Sequence, residues 1–316
     1  MLSATKTRFH AIRLRLENHV ATSRLNGFLW EFFLFVFKQG WACLFGATML
    51  SLILLTKWRW PHHAGLARYD FLFLAALTVQ AVLLLTRMET LREAKVILLF
   101  HVVGTCMELF KTSVGSWSYP ESNFFRIGHV PLFSGFMYAS VGSYLARVTR
   151  IVDMRYTRYP PRWVTVVLAI MIYVNFFTHH FLPDIRALLF AALAAAFGPT
   201  MVYYRPYRKY RRMPLLLGFC LVALFIWGAE NIGTFAAVWV YPHQRNGWRM
   251  VGFGKFGAWL LLMVISFILV SFAHTPQAPE AETTGNDTQV ATQDAALPDG
   301  AGVGFADAAV GSDEPA

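Results

Sequence analysis

Two glutamates sit inside apolar stretches, and each heads the same string of residues. Residues 108–120 read ELFKTSVGSWSYP and residues 230–242 read ENIGTFAAVWVYP. Both are E-x8-W-x-Y-P: Glu108, Trp117, Tyr119 and Pro120 recur as Glu230, Trp239, Tyr241 and Pro242 at a constant offset of 122. A charge at the centre of a bilayer costs about 2.5–3.5 kcal/mol on insertion scales, so such a carboxyl is expected to face a cavity or a partner. In that setting it has three uses. It can add a proton to a lipid double bond, shuttle protons, or accept hydrogen bonds from a neighbouring helix.

Other polar residues fall near the same level. His101 lies seven residues before Glu108, about 700° of helix, so the two differ by only about 20° around the axis and share a stripe with Thr105. Asn231 follows Glu230, His179 and His180 end one apolar stretch, and His129 begins another. The candidate catalytic residues are therefore Glu108, Glu230 and His101. Trp117, Tyr119, Trp239, Tyr241, Asn231, His129 and His179 are the candidate substrate-binding residues. Interfacial enrichment of Trp and Tyr, with Pro after a helix end, explains W-x-Y-P without function, but not the glutamate inside the span. No cofactor and no metal are expected: His179 and His180 are adjacent, so on a helix their side chains diverge by about 100°, and no HExxH or clustered histidine box is present. No GxSxG element or phosphate-cradling glycine loop is present either.

The elements that must position these residues are membrane helices. The chain of 316 residues is 56% hydrophobic and 15% charged, with a mean hydropathy of +0.44. One soluble core cannot hide that much apolar surface, and a bilayer admits only helix bundles or closed barrels. Runs such as 163–174 and 259–270 are almost wholly apolar without alternation, which belongs to helices and not to barrel strands. Eight spans are expected, at 32–56, 71–86, 94–110, 130–146, 163–181, 185–203, 214–235 and 252–272. The fold class is thus all-α, a polytopic bundle. The repeated motif falls on the third and seventh spans, which suggests two parallel four-helix halves at 28–150 and 151–273.

The loops orient the bundle. Eighteen Lys and Arg fall on the face shared with the N-terminus, at 6–24, 87–95, 147–162 and 205–212, against nine on the opposite face. This bias places the N-terminus in the cytoplasm, and an even number of spans returns the C-terminus there. The basic residues read as topology signals, not as a nucleic-acid surface. Residues 1–27 carry Phe9, Ile12, Leu16 and Val20 at helical spacing beside arginines, as in a helix lying on the membrane. Residues 274–316 hold eight acids and no Lys or Arg, are rich in Ala, Pro and Gly, and are expected to be disordered. Cys43, Cys106 and Cys220 lie in apolar segments and make no disulfide framework.

The stretch HVVGTCMELFKTSVGSWSYPESNFFRIGHVPLFSGFMYASVGSYLAR at 101–147 is similar to the signature region of a family of bacterial inner-membrane proteins designated domain of unknown function 817. The resemblance covers roughly residues 28–273 and implies a multi-pass protein of the bacterial cytoplasmic membrane, with no activity attached. Glu108, Gly115, Trp117, Tyr119, Gly128, Val130 and Pro131 also resemble in order the E…G…Y-x-Y…G-V-P pattern of membrane carotenoid hydratases and the related cyclases. That similarity implies proton addition to an isoprenoid double bond, with Glu108 as donor and Glu230 as its counterpart. The cyclases carry acids just after the proline, whereas here Leu132 and Phe133 follow Pro131.

Three readings remain open: an intramembrane enzyme protonating a hydrophobic lipid, a small-solute or proton-coupled carrier, and a structural or partner-binding membrane protein. The expected partners are the lipid bilayer and, for the first reading, a hydrophobic lipid substrate. A shared site requires the carboxyls of Glu108 and Glu230 to face one interior space, and not lipid.

Overall fold

Long apolar runs with few β-branched clusters and no internal proline form helices, and the breaks between them fall at polar or glycine-containing segments. The computed structural model describes residues 24–61 and 65–279. The expected surface helix at 1–27 and the acidic tail lie largely outside the described residues. In chain order the helices are α1 (Arg24–Ala42), α2 (Leu44–Arg59), α3 (Arg68–Leu85), α4 (Leu91–Ser113), α5 (Phe133–Ile151), α6 (Arg162–Thr178), α7 (Arg186–Phe197), α8 (Leu215–Phe235) and α9 (Gly254–Ala273). Two short antiparallel sheets join them: β1 (Arg126–Ile127) with β2 (Val130–Pro131), and β3 (Arg155–Thr157) with β4 (Met201–Tyr204) and β5 (Arg211–Pro214).

The eight expected spans are met in part. Among the described residues α3, α4, α8 and α9 are long and apolar enough to cross a bilayer, and α1 with α2 makes a fifth if the pair is one bent span. That pair turns by 70°. The Trp41 carbonyl beside the break accepts from Arg147 Nη1 at 3.3 Å, which supplies a partner to a carbonyl near the helix end. α6 has 17 residues and α7 only 12. At 1.5 Å per residue α7 is about 18 Å long, short of the roughly 30 Å of hydrocarbon. The expected sixth span, 185–203, therefore runs out of helix at Phe197 and passes into β4. The fourth begins as strand β2 before α5 starts. Outward-facing Phe28, Phe32, Phe33 and Phe37 on α1, Leu98 on α4, Ile170 on α6 and Phe225 on α8 form an apolar exterior suited to lipid.

The largest apolar cluster of the interior runs from Phe45 and Met49 on α2 through Phe100 on α4 and Phe136 on α5 to Phe219 and Phe267 on α8 and α9, and a smaller one gathers Ile53, Tyr69, Leu72, Phe133, Ala236 and Val238. Within the larger, α4 and α5 approach closely. A Cβ on Gly104 would lie 2.7 Å from the Tyr138 ring, and one on Gly135 would run into His101 and Thr105. Thr90 starts α4 with a capping box: its hydroxyl accepts from Glu93 N at 3.2 Å, and Glu93 returns an acceptor to Thr90 N at 2.7 Å. Just before it, Glu89 pairs with Arg147 at 2.5 Å, both 1% exposed at the side chain, and also accepts from Ser143 and Gln80. Arg147, read from the sequence as a loop charge, is thus an interior tie between the α3–α4 turn and α5. A buried pair of this kind holds geometry, because removing one partner strands the other.

The β3–β5 sheet was not expected from the sequence, where its arginines read only as topology signals. β4 pairs with β3 through Tyr156 and Val202 and with β5 through Tyr203 and Arg212. Asp153, at φ +48°, accepts from Tyr210, Arg155 and Arg205. The Tyr210 hydroxyl, ahead of the arginines, holds its carboxyl below the usual carboxylate range against the opposing effect of burial. Gln277 extends this edge, accepting from Tyr156 N at 2.8 Å and from Arg155 at 2.6 Å, so the first residues after α9 are tied down.

α4 and α8 end alike. Val114 and Ala236 close the helices, Gly115 takes φ +73° and Ala237 φ +52°, and Ser116 N and Val238 N reach back to the carbonyls of Lys111 and Gly233 at 2.9 and 3.1 Å. This is a Schellman-type ending, in which the left-handed position favours glycine. Ala237 carries a Cβ there at a cost of about 1–2 kcal/mol. Ala237→Gly is therefore expected to stabilise the detergent-solubilised protein by up to about 1 kcal/mol, and Gly115→Ala to destabilise it by about 1 kcal/mol or more, read as opposite shifts in thermal unfolding.

Candidate functional site

The turn after α4 sends the chain back over the last turns of that helix, so Trp117 and Tyr119 reach Glu108. Glu108 Oε2 accepts from Trp117 Nε1 and from Tyr119 OH, both at 2.7 Å, and Oε1 accepts from Tyr138 OH of α5 at 2.7 Å. Glu108 is 5% exposed. Tyr138 can arrive because its ring crosses α4 at Gly104, one turn before Glu108. The second copy repeats the plan. Ala237 reverses the chain after α8, Tyr241 OH donates to Glu230 Oε1, and Trp259 Nε1 of α9 donates to Oε2. Glu230 is 3% exposed.

The two turns meet. Ser118 N donates to Val240 O at 3.0 Å and Val240 N to Ser118 O at 2.9 Å, an antiparallel bridge between residues 122 apart, which is the offset of the motif. Beside it the Trp117 and Tyr241 rings pack edge to face at 6.0 Å. A continuous path therefore runs Glu108–Trp117–Tyr241–Glu230. Both glutamates are buried, each enclosed by its own set of donors.

The start of α3 clamps both turns. Asp70 accepts from Asn123 and from the backbone of Phe124 and Phe125 at 2.8–3.1 Å. Arg68 pairs with Glu121 at 2.5 Å and donates to the carbonyls of Ala236 and Ala237, while Tyr69 OH donates to Val238 O at 2.7 Å. These three residues were missed from the sequence, although an Arg-Tyr-Asp triplet opening an apolar helix is a visible signal. Tyr138 and Trp259 were also missed, since nothing in the chain says which helix packs beside each glutamate.

The other expected site residues divide. His101 lies on the stripe with Thr105, but its ring packs on Phe136 at 4.4 Å and against Gly135, with no hydrogen bond to the glutamate. Trp239 does not reach Glu230, because its indole lies over Gly233 where Lys111 stands in the first copy; Trp259 takes its place. Asn231 accepts from Val251 N and donates to Trp227 O, holding the loop before α9. His129 is exposed at the β1–β2 turn. The expected divergence of His179 and His180 is corrected. α6 stops at Thr178, so helical spacing does not apply, and the rings lie 4.2 Å apart with both Nε2 atoms toward Lys111 Nζ, at 3.5 and 2.8 Å.

Those histidines line a cavity of about 470 Å³ beside the Trp117–Tyr241 contact. Its walls include Lys111 and Trp117 from the first copy and Arg186, Gly254 and Lys255 from the second half, with Ile172, Leu261 and Leu262 as an apolar floor. Lys255 Nζ stands 4.5 Å above the Tyr241 ring and 5.7 Å from that of Trp117. Arg186 pairs with Asp184 at 2.5 Å. Burial acts to raise the Asp184 carboxyl, but hydrogen bonds from Arg186 and Asn175 outweigh it and keep it below the usual range. Lys111, Lys255 and Arg186 had been counted only as loop charges. Lys255, set in the otherwise uncharged α9, was the signal for one of them.

Residues 31–267 match the family described as a protein of unknown function, DUF817. The uncharacterized protein YoaT of Bacillus subtilis strain 168 is 43% identical over 237 residues, which make up 75% of this chain and 89% of that protein. Among solved structures, the mycobacterial Insig homologue MvINS from Mycobacterium vanbaalenii aligns over 60% of this chain and 98% of its own at 16% identity and a TM-score of 0.41, and a cross-linked MvINS trimer gives 0.42.

Removing the acceptor at the first hub leaves three donors without a partner. Glu108→Leu is expected to cost at least about 3 kcal/mol, and Tyr138→Phe about 1 kcal/mol, in reversible unfolding. Equal and negligible losses in both variants would show that the hub does not hold the turns.

Proposed function

The chain belongs to the DUF817 family, and from that premise and the geometry of its twin carboxyls we propose that it is a small-solute carrier built from two related halves. The observation that carries the proposal is the position of the cavity, whose walls are drawn from both halves beside the contact between the two motifs. Carriers with repeated halves place their solute at the repeat interface.

The duplication has support beyond the sequence string. The helix ends at Gly115 and Ala237, the tyrosine-to-glutamate bonds and the self-pairing of Ser118 with Val240 all share one offset. Equivalent residues that pair antiparallel are related by a local two-fold axis, in keeping with parallel halves about the bundle axis. The halves are not identical in length, since α7 is far shorter than α3, its counterpart in order. The proposal includes the cytoplasmic-membrane location and the cytoplasmic N- and C-termini that the loop charges favour.

In this reading Glu108 and Glu230 are scaffold groups. Both oxygens of Glu108 already accept, and the Trp117 indole N–H can only donate. The cavity walls do not include either carboxyl. Proton addition to an isoprenoid double bond by Glu108 needs an open face on that carboxyl and has correspondingly less support. Proteoliposomes holding the protein and incubated in a bacterial small-metabolite extract are expected to accumulate at least one metabolite above protein-free vesicles. Accumulation of none contradicts the carrier. A lipid species formed by the wild type and absent with Glu108→Gln contradicts it in favour of the enzyme.

A further inference from the structure

Lysines set within apolar helices normally find a carboxylate, because an ammonium group removed from water otherwise keeps its desolvation penalty. Lys111 is 4% exposed, yet among the described residues neither it nor Lys255 forms an ion pair. Lys111 Nζ has instead two imidazoles and the Phe176 ring at 4.2 Å. His179 Nδ1 lies 2.9 Å from Asn175 O, a carbonyl that can only accept, so that nitrogen carries the proton and Nε2 offers its lone pair to the lysine. The arrangement tolerates the charge without cancelling it. Lys255 lies over the faces of Tyr241 and Trp117, with the Glu230 charge also acting on it. Both lysines line one cavity, next to the Arg186–Asp184 pair.

We infer that this cavity binds a phosphate monoester, its phosphoryl group between Lys111 and Lys255 and its organic part on Ile172, Leu261 and Leu262. The charge argues for the class. Two ammonium groups that form no ion pair among the described residues, with Asp184 and Glu230 acting on them only at longer range, match the roughly −1.5 to −2 charge of a phosphate monoester better than a single carboxylate. Lysine serves such oxyanions as a point charge with three donors, and His180 beside Lys111 adds a further polar group. The space argues for an organic body. About 470 Å³ exceeds what a bare oxyanion fills and lies within the range of small-molecule sites. Both a soluble phosphate monoester and phosphatidic acid present this chemistry. The inference rests on the carrier reading only in naming its solute, since a binding site exists or fails independently of transport.

The test uses the full chain. In detergent, thermal unfolding is followed with sn-glycerol 3-phosphate, or with KCl at matched ionic strength. In phosphatidylcholine nanodiscs, it is followed with and without phosphatidic acid. The expected result is a rise in melting temperature with at least one phosphate monoester and none with KCl. A response to glycerol 3-phosphate assigns a soluble ligand, and a response to phosphatidic acid alone assigns a lipid headgroup. Lys111→Met and Lys255→Met are expected to weaken the response about tenfold or more, while Lys255→Arg retains it. Both Met variants should unfold no earlier than the wild type without ligand, because each removes a cation that forms no ion pair among the described residues. No response from the wild type to either probe, or an undiminished response in the doubly substituted protein, overturns the inference. Binding without uptake into vesicles sinks the carrier and leaves the site. Uptake of other solutes without phosphate binding does the reverse.

Discussion

A carboxyl group inside an apolar bundle must be given hydrogen-bond donors, and this requirement organises one end of the protein. Glu108 receives three donors from two separate segments, and Glu230 two from two. An indole or phenol can reach back to its own helix only if the chain reverses sharply, and Gly115 and Ala237 supply that reversal through left-handed backbone. The remaining donor comes from a neighbouring helix, which fixes α5 against α4 and α9 against α8. Once both turns are folded back they lie edge to edge and pair through Ser118 and Val240. Satisfying two buried acids thus joins two stretches of chain that are 122 residues apart.

The opposite end of the bundle uses a different device. There Glu89 and Arg147 bury a full ion pair, and Asp153 gathers Arg155, Arg205 and Tyr210 at the edge of a small sheet. These ties fix helices in place by setting acid against base. The cavity end differs in that respect: Lys111 and Lys255 sit among rings and imidazoles, and not against carboxylates. Retaining unneutralised cations in that position lowers stability, and binding sites are where such a cost is found.

Much of this was legible in the chain. Apolar runs marked the helices, the similarity over 101–147 marked the family, and the E-x8-W-x-Y spacing named Glu108, Trp117, Tyr119, Glu230 and Tyr241 before any contact was known. Hydropathy could not show that α1 and α2 part by 70°, or that α7 stops after 12 residues, because an apolar window reports composition and not where helix ends. It also hid the β3–β5 sheet, whose arginines look like loop charges at either face of a membrane. Partners across helices were illegible for a simpler reason. Tyr138 and Trp259 are ordinary interfacial aromatics in sequence and become donors only when packing brings their helices beside the acids. Lys111 was read by its position near a helix end as a topology signal, and only its burial and the histidines beyond α6 give it another meaning.

The central claim is that the two motif turns meet across a seam and that the buried acids keep them there. Ser118 and Val240 exchange both backbone hydrogen bonds, and such a pair has Cα atoms about 5.5 Å apart, within disulfide reach. In a background with Cys43, Cys106 and Cys220 replaced by serine, Ser118→Cys with Val240→Cys is the direct measurement. The account expects rapid cross-linking within one chain under mild oxidation, and a clearly slower rate when Glu108→Gln and Glu230→Gln are added. A cross-link that forms only between chains, or a rate indifferent to the two acids, would contradict it.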